Sequence, residues 1–320
     1  MLADKILKGD MRATARLIRR IDDGERDIFP ELALLYRHAG RAHIVGFTGS
    51  PGVGKSTLVD RVVTKFRQNG KTVGVLAIDP TSPFTGGAIL GDRIRMQKHF
   101  LDEGVFIRSL ATRGTFGGLT RSTADAIVVL DAMGKDVIIV ETVGVGQDEV
   151  DIVHNAHTTV LVTVPGMGDD IQAIKAGLME IGDIFVVNKA DREGAAKTVR
   201  EIRFMLEMSA EKHRNSSWTP PVIDTVAPED QGVDELYQAI LDHRRHLVAN
   251  DDSKLARLEE RRIRNQLLDL LREYLMETAI ERLGGAASLD RVVSEIVARR
   301  KDPYGASAEL VDKLLGGAPS

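Results

Sequence analysis

The sequence predicts a doubly wound α/β domain on a mostly parallel sheet, with helical extensions at both ends. Three observations predict it. Short runs rich in Val and Ile recur along the middle of the chain without polar alternation, as strands buried on both faces require. Helix-period segments separate these runs, giving crossovers long enough to keep successive strands parallel. A glycine-rich stretch, GSPGVGKST at 49–57, falls between the first run and the first such helix.

Residues 1–40 place Ile6, Leu7, Ala13, Leu17, Ile18 and Ile21 at helical spacing and add Leu32, Leu34, Leu35 and Tyr36, which predicts two or three short helices packed on the main domain. From 41 to 249 the predicted strands are HIVGFT (43–48), TVGVLAID (72–79), GVFIRS (104–109), DVIIVET (136–142), TTVLVTV (158–164), DIFVVN (183–188) and PVIDTV (221–226). Beyond Asn250, in the segment 250–320, Leu255, Leu258, Ile263, Leu267, Leu270, Leu271, Tyr274, Leu275 and Ile280 recur at helical intervals until Gly284 and Gly285, and LDRVVSEIVARR follows. So long an apolar stripe needs cover. The chain's own sheet domain is one source; the length of the stripe and the second helix favour a second copy, so a homodimer through the C-terminal helices is expected.

The bulk numbers narrow the function. With 320 residues and 43% apolar content the chain suits one large domain, or one domain plus a smaller module. A net charge of −4 with no long single-sign run gives no general attraction to nucleic acid or to an anionic membrane. Cysteine is absent, which excludes disulfides, thiolate metal sites and a cysteine nucleophile, and agrees with a reducing cytoplasm. The N-terminal stretch is charged and amphipathic rather than a signal peptide, and no run of about 18 apolar residues could span a membrane. A cytoplasmic protein is expected.

Chemistry enters at the glycines. In G-x-x-x-x-G-K-S, the stretch Gly49, Ser50, Pro51, Gly52, Val53 and Gly54 curls its backbone N–H groups around phosphate oxygens, Pro51 supplying only a turn because it has no N–H. Lys55 adds a cation, Ser56 offers its hydroxyl to Mg²⁺, and Thr57 continues the cradle. A second motif, VVNKAD at 186–191, ends a predicted strand. There Asp191 can accept from guanine N1–H and N2–H₂, Asn188 contacts the base and Lys189 lies along its face. Adenine would leave that carboxylate unpaired in a desolvated pocket, a discrimination of several kcal/mol. Thr225, Val226 and Ala227 follow the next strand, where a backbone N–H could reach guanine O6.

Between the two motifs, VIIVETVGVGQ supplies Glu141 at a strand end for the metal shell and Gly144 for the γ-phosphate. Val145 follows Gly144 where many signalling GTPases carry a water-orienting Gln, so slow intrinsic hydrolysis is expected. Two Gly-rich segments have the composition of switches: 75–96, with Asp79 and Asp92 placed to sense the metal, and 107–120, whose Arg108 and Arg113 either stabilise developing charge or sit on the surface. The expected catalytic set is therefore Lys55, Asp92, Glu141 and Gly144, with Ser56, Asp79, Asp92 and Glu141 around the metal.

With these residues in place, the chain resembles the MeaB/ArgK (MMAA-like) family of P-loop GTPases. The resemblance rests on GSPGVGKST, DPTSPFTGGAILGDRIRM, GTFGGLT, VETVGVGQ, VPGMGDDIQAIKAG, VNKAD and SWTPPV, with helical extensions at both ends, and covers nearly the whole chain. It implies a SIMIBI-type G domain that binds GTP or GDP with Mg²⁺. It also implies a GTP-hydrolysing chaperone that loads and protects an adenosylcobalamin-dependent acyl-CoA mutase such as methylmalonyl-CoA mutase. A homodimer, contact with an adenosyltransferase, and no tightly bound cobalamin in the chain itself complete that picture. A further family switch coincides with GDDIQAIKAG, making Asp169, Asp170, Gln172 and Lys175 candidates for signalling to the mutase; Asp170 stands where close relatives have Glu. From chemistry alone Asp169, Asp170 and Lys175 read as a solvated helix start.

Two other readings stay open at this point. A nickel-insertion GTPase needs soft or imidazole ligands, and here only His154/His157 and His243/His246 form close histidine pairs. An amino-acid transport kinase needs a catalytic base and an acceptor pocket, and no separate substrate domain is evident.

Overall fold

The structure, a computed structural model, describes residues 1–80, 96–112, 118–142, 155–166, 182–210, 218–249 and 253–316. Its seven strands are β1 (His43–Thr48), β2 (Val73–Pro80), β3 (Val105–Thr112), β4 (Val137–Thr142), β5 (Thr158–Thr163), β6 (Ile184–Asn188) and β7 (Val222–Thr225). They form one sheet in the order β3-β2-β4-β1-β5-β6-β7, parallel throughout. Each of the seven predicted strands forms within a few residues of its expected bounds. The chain winds out from β1 to β2 and β3, returns to β4 beside β1, and crosses to β5 on the other side. β1 is thereby enclosed by β4 and β5, and the strand order reverses at the end where an α/β sheet receives its ligand.

β1, β4, β5 and β6 are buried along their whole lengths because both faces are covered. Side chains alternate between two cores, as a period of two dictates. Val45, Phe47, Val137 and Ile139 point into a core shared with α4 (Lys55–Gln68) and α7 (Val233–Ala249). Ile44, Ile138 and Val140 point into another, built with α5 (Gly118–Ala132) and the N-terminal helices α1 (Leu2–Ile6), α2 (Met11–Asp22) and α3 (Phe29–Tyr36). A smaller cluster places α6 (Ala195–Ala210) on β5 and β6 through Phe185, Val187 and Ile202.

The N-terminal extension is held by polar groups as well as by its apolar face. Glu31 of α3 accepts from the amides of Leu2 (3.0 Å) and Ala3 (2.7 Å), capping α1. Asp10 caps α2 by accepting from Arg12 and Ala13, both at 2.9 Å.

Contacts divide the chain into two compact units, Met1–Arg262 and Ile263–Ser320. The second contains most of α8 (Ser253–Arg282), with α9 (Ala286–Val297) and α10 (Pro303–Leu314). Periodicity predicts two C-terminal helices; α10 is a third. Its start carries a signal: Asp302 before Pro303 accepts from the amides of Tyr304 (3.0 Å) and Gly305 (2.8 Å), an N-cap followed by proline at the first helical position. Only a few apolar residues follow, so periodicity alone does not reveal it.

Candidate functional site

The glycine-rich loop leaves β1 at Thr48 and feeds α4, whose first residue is Lys55. Two of its glycines are forced by close approach. Gly49 has φ +138°, and a Cβ there would lie 2.0 Å from the backbone oxygen of Val162 on β5; Gly54, at φ +96°, would put one 2.5 Å from Asn188 Nδ2. The loop is thus pressed between β5 and the end of β6. Lys55 is buried, and its ammonium donates to the carbonyls of Gly49 (2.5 Å) and Ser50 (3.0 Å), holding the loop curled around a positive charge.

Ser56, in the first turn of α4, donates its hydroxyl to Glu141 Oε1 at 2.6 Å. Both are buried, at 6% and 4% exposure. The register sets this up, since Glu141 pairs with Phe47 of β1, one residue before the strand end from which the loop departs. Beside them the Thr142 hydroxyl donates to Thr48 Oγ1 at 3.3 Å. A buried hydroxyl and carboxylate are hard oxygen donors, and this pair suits Mg²⁺.

The NKAD segment arrives from the other side. Asn188, 1% exposed at the end of β6, donates from Nδ2 to the carbonyl of Val53 (2.8 Å), while its Oδ1 accepts from Thr225 Oγ1 (3.0 Å) and from the amide of Ala227 (3.3 Å). Lys189 takes a left-handed turn, φ +57°, and its ammonium donates to the carbonyl of Gly52 at 2.6 Å. Asp191 follows, exposed. The amide of Ala190 donates to the carbonyl of Thr225 (3.0 Å), and that of Val226 to the carbonyl of Gln231 (3.1 Å). The amides of Val226 and Ala227 therefore make contacts within the protein.

The structure brings Gly49 to Thr57, Glu141, Asn188, Lys189, Asp191 and Thr225 to Ala227 to one edge of the sheet, the carboxyl ends of β1, β4, β6 and β7. Arg108 lies elsewhere, on the outermost strand β3, in register with Leu76. Asp92, Arg113, Gly144, Asp169, Asp170, Gln172 and Lys175 lie outside the described residues, as does the side chain of Asp79.

Sequence reasoning missed the ties between α4 and its neighbours. Asp60, buried on α4, pairs with Lys98 (2.7 Å) and His99 (3.2 Å), just beyond the 81–95 segment. Its signal was a carboxylate among apolar residues in LVDRVV. Lys65 pairs with Asp230 and Asp234, each at 2.9 Å, and Arg61 donates to the carbonyl of Pro228 (2.9 Å), tying α4 to the turn after β7.

His43, His157, His243 and His246 gather at the opposite edge. His243 bonds Thr158 Oγ1 (2.9 Å), which in turn meets His43 (2.8 Å), and His157 reaches Glu259 at 2.5 Å. Trp218 packs on His243 and His246. Burial pushes His243 down to about 3, helped by neighbouring His246 and Lys254. Among the described residues no three His, Cys, Asp or Glu side chains converge as a metal cluster.

Comparison with known proteins agrees with this geometry. Residues 23–286 match the family described as Methylmalonyl Co-A mutase-associated GTPase MeaB. A candidate GTPase of Pyrococcus abyssi is 49% identical over 100% of this chain and 98% of its own length. The GTPase ArgK of Escherichia coli is 34% identical over 87% of this chain and 88% of its own. A methylmalonic aciduria type A homolog of mouse mitochondria is 32% identical over 73% of this chain and 56% of its own. The crystal structure of an LAO/AO transport system kinase superposes with a TM-score of 0.67 at 25% identity, covering 98% of this chain and 96% of that one.

Proposed function

We propose, from the premise that this chain belongs to the MeaB family of methylmalonyl-CoA mutase-associated GTPases, that its GTP hydrolysis gates cofactor loading and protection of an adenosylcobalamin-dependent acyl-CoA mutase. The observation that carries the site assignment is the 2.6 Å contact between Ser56 and Glu141, which joins the phosphate loop to β4.

In this reading Lys55 exchanges its loop carbonyls for phosphate oxygens and places its charge where negative charge accumulates. Ser56 and Glu141 would hold Mg²⁺, with Asp79 and Asp92 completing the shell, and the ion supplies charge neutralisation at the phosphates. Water attack at the γ-phosphorus breaks its bond to the β–γ bridging oxygen, giving GDP and phosphate, with Gly144 at the γ-phosphate. Asp191 selects guanine, Lys189 lies against the ring, and Asn188 braces the loops that carry them, with Thr225 to Ala227 completing the base pocket. Arg108, Asp169, Asp170, Gln172 and Lys175 are assigned to switching and to the client. Cobalamin is handled by the client rather than bound tightly by this chain.

The C-terminal segment is assigned to dimerisation. Leu267, Leu271 and Leu275 recur every four residues on α8 with exposures of 62%, 49% and 60%, which supports cover by a second copy. Leu267→Glu with Leu271→Glu should halve the mass seen by light scattering. Among the described residues no helix is long and apolar enough to cross a membrane, and a cytoplasmic location is part of the same proposal.

The test is GTP turnover with purified adenosylcobalamin-dependent mutases added singly: methylmalonyl-, isobutyryl-, 2-hydroxyisobutyryl- and ethylmalonyl-CoA enzymes. At least one should bind in a nucleotide-dependent way and change the rate. If none does, while basal GTP hydrolysis persists, the client assignment falls and the GTPase stands.

A further inference from the structure

The amino ends of the strands, at the edge opposite the phosphate loop, surround a cavity of about 470 Å³ within the first unit. That volume lies in the range of small-molecule sites, roughly 300–1,000 Å³. Its walls carry four basic side chains, Arg41, Lys71, Lys135 and Arg244, and two carboxylates, Asp131 and Asp136. In a chain whose net charge is −4, this is a local positive excess.

The carboxylates are committed. Asp131 accepts from the amides of Gly40 (2.7 Å), Arg41 (3.1 Å) and Ala42 (3.2 Å), fixing the entry to β1. Asp136 accepts from the amide of Thr72 (2.8 Å) and its hydroxyl (2.9 Å), fixing the entry to β2. Their charge is spread over donors that are part of the fold. The cations are barely engaged. Among the described residues Lys71 comes no nearer to Asp136 than 3.5 Å, Arg244 meets only the carbonyl of Arg41, at 3.4 Å, and the Arg41 guanidinium has no hydrogen-bond or ion-pair partner. Lys135 is buried at 5% exposure with one carbonyl acceptor, that of Gly104 at 3.1 Å. Burial, and then the like charge of Arg67, push its ammonium below the usual lysine range. A bound anion would relieve both penalties.

Two guanidinium forks and two ammonium groups around one concavity are the donor set that phosphate oxygens satisfy, the forks in pairs and the ammoniums as point charges. We propose that this cavity is a second anion site, separate from the GTP site, that takes a small molecule bearing two or more phosphate groups. A recess of this size bounded by three loops and α7 fits a compact polyanion better than an extended acidic chain. Because its walls are the entries to β1, β2 and β4, an occupant sits at the far ends of the strands that carry the phosphate loop and Glu141.

Calorimetry tests this on the full chain with GDP held at saturation, so that the phosphate loop is filled, and with inorganic triphosphate as the probe. Wild-type protein should bind one further equivalent. Arg41→Glu and Lys71→Glu, each at an exposed position in a different loop, should weaken that binding at least tenfold while GTP hydrolysis stays within twofold of wild type. Circular dichroism confirms that each variant is folded. Triphosphate binding that is absent, or unchanged in both folded variants, would overturn the proposal. Binding of a polyglutamate peptide without binding of triphosphate would overturn it too, by making the cavity a dock for an acidic protein segment.

Discussion

Replacing Asn188 with alanine should cost more stability than any other single change in the base-reading motif, because Asn188 joins three segments rather than one. Its amide group donates to Val53 O in the phosphate loop and accepts from Thr225 Oγ1 and Ala227 N beyond β7. All four residues are at most 1% exposed, so bulk water does not replace what is lost. Each net hydrogen bond contributes about 1 kcal/mol, and each buried group left unsatisfied adds about 1–3 kcal/mol. The 3.3 Å contact to Ala227 counts for less than the others. Allowing for relaxation and an inserted water, Asn188→Ala should destabilise by about 2–4 kcal/mol. Thr225→Val, which removes one bond and leaves Asn188 Oδ1 its contact with Ala227, should cost about 1 kcal/mol. Urea unfolding without nucleotide, followed by tryptophan fluorescence of Trp218, measures both. GDP affinity should also fall in Asn188→Ala, since Val53 loses the tie that fixes the loop against β6. A change below about 0.5 kcal/mol with unaltered GDP binding would refute the brace.

Three further outcomes follow from the same geometry. Lys55→Ala should abolish GTP hydrolysis and leave the circular dichroism spectrum unchanged, since the two carbonyls it releases lie in a loop rather than in the sheet; hydrolysis at the wild-type rate would remove Lys55 from the site. Asp191→Asn should weaken GTP and favour xanthosine triphosphate, because the amide can donate to the carbonyl that replaces the guanine amine, and an unchanged base preference in competition assays counts against the NKAD reader. Acid should destabilise the fold from about pH 6.5 downward. His243 is held near 3, and His43 well below its ordinary 6.5, both first by burial. The neutral rings are therefore the folded form, and the full contribution is present above pH 6.5 and lost as the pH falls toward 3. Each such ring adds up to about 1.4 kcal/mol per pH unit to the slope, while Asp183 beside His243, pushed up to about 7 by burial, gains stability as the pH falls from about 7 to 3.8 and offsets one of the two rings. Glu259, lowered to about 2 although burial opposes it, chiefly by His157 and Arg262, adds a loss in the same direction below 4.5. His243→Gln should flatten the urea stability profile between pH 6.5 and 5 by about one proton, and an identical slope would show that the ring charges at no cost.

Much of this protein was legible because it is encoded locally. The strands HIVGFT, VIIVET and IFVVN announce themselves by uninterrupted β-branched residues, since a strand covered on both faces has no polar side to show. GSPGVGKST and NKAD are contiguous, and their glycines, lysine and carboxylate act within a few residues of one another. The sequence by itself therefore determined the α/β class, the seven strands and the GTPase family. The short helix Pro303–Leu314 escaped because a cap and a few apolar residues leave almost no period to detect.

What only the tertiary structure decided is which distant residues meet. Strand order puts Glu141 beside the loop that carries Ser56, 85 positions away in the chain. Packing of β6 against that loop turns Asn188 from a contact for a base into a brace buried among Val53, Thr225 and Ala227. Asp60 finds Lys98 and His99, and four cations from residues 41, 71, 135 and 244 come to rim one cavity. The reason is physical: periodicity and motif spacing report the few neighbours a residue has along the chain, whereas burial, pairing and charge depend on the many it acquires when layers of sheet and helix close on each other.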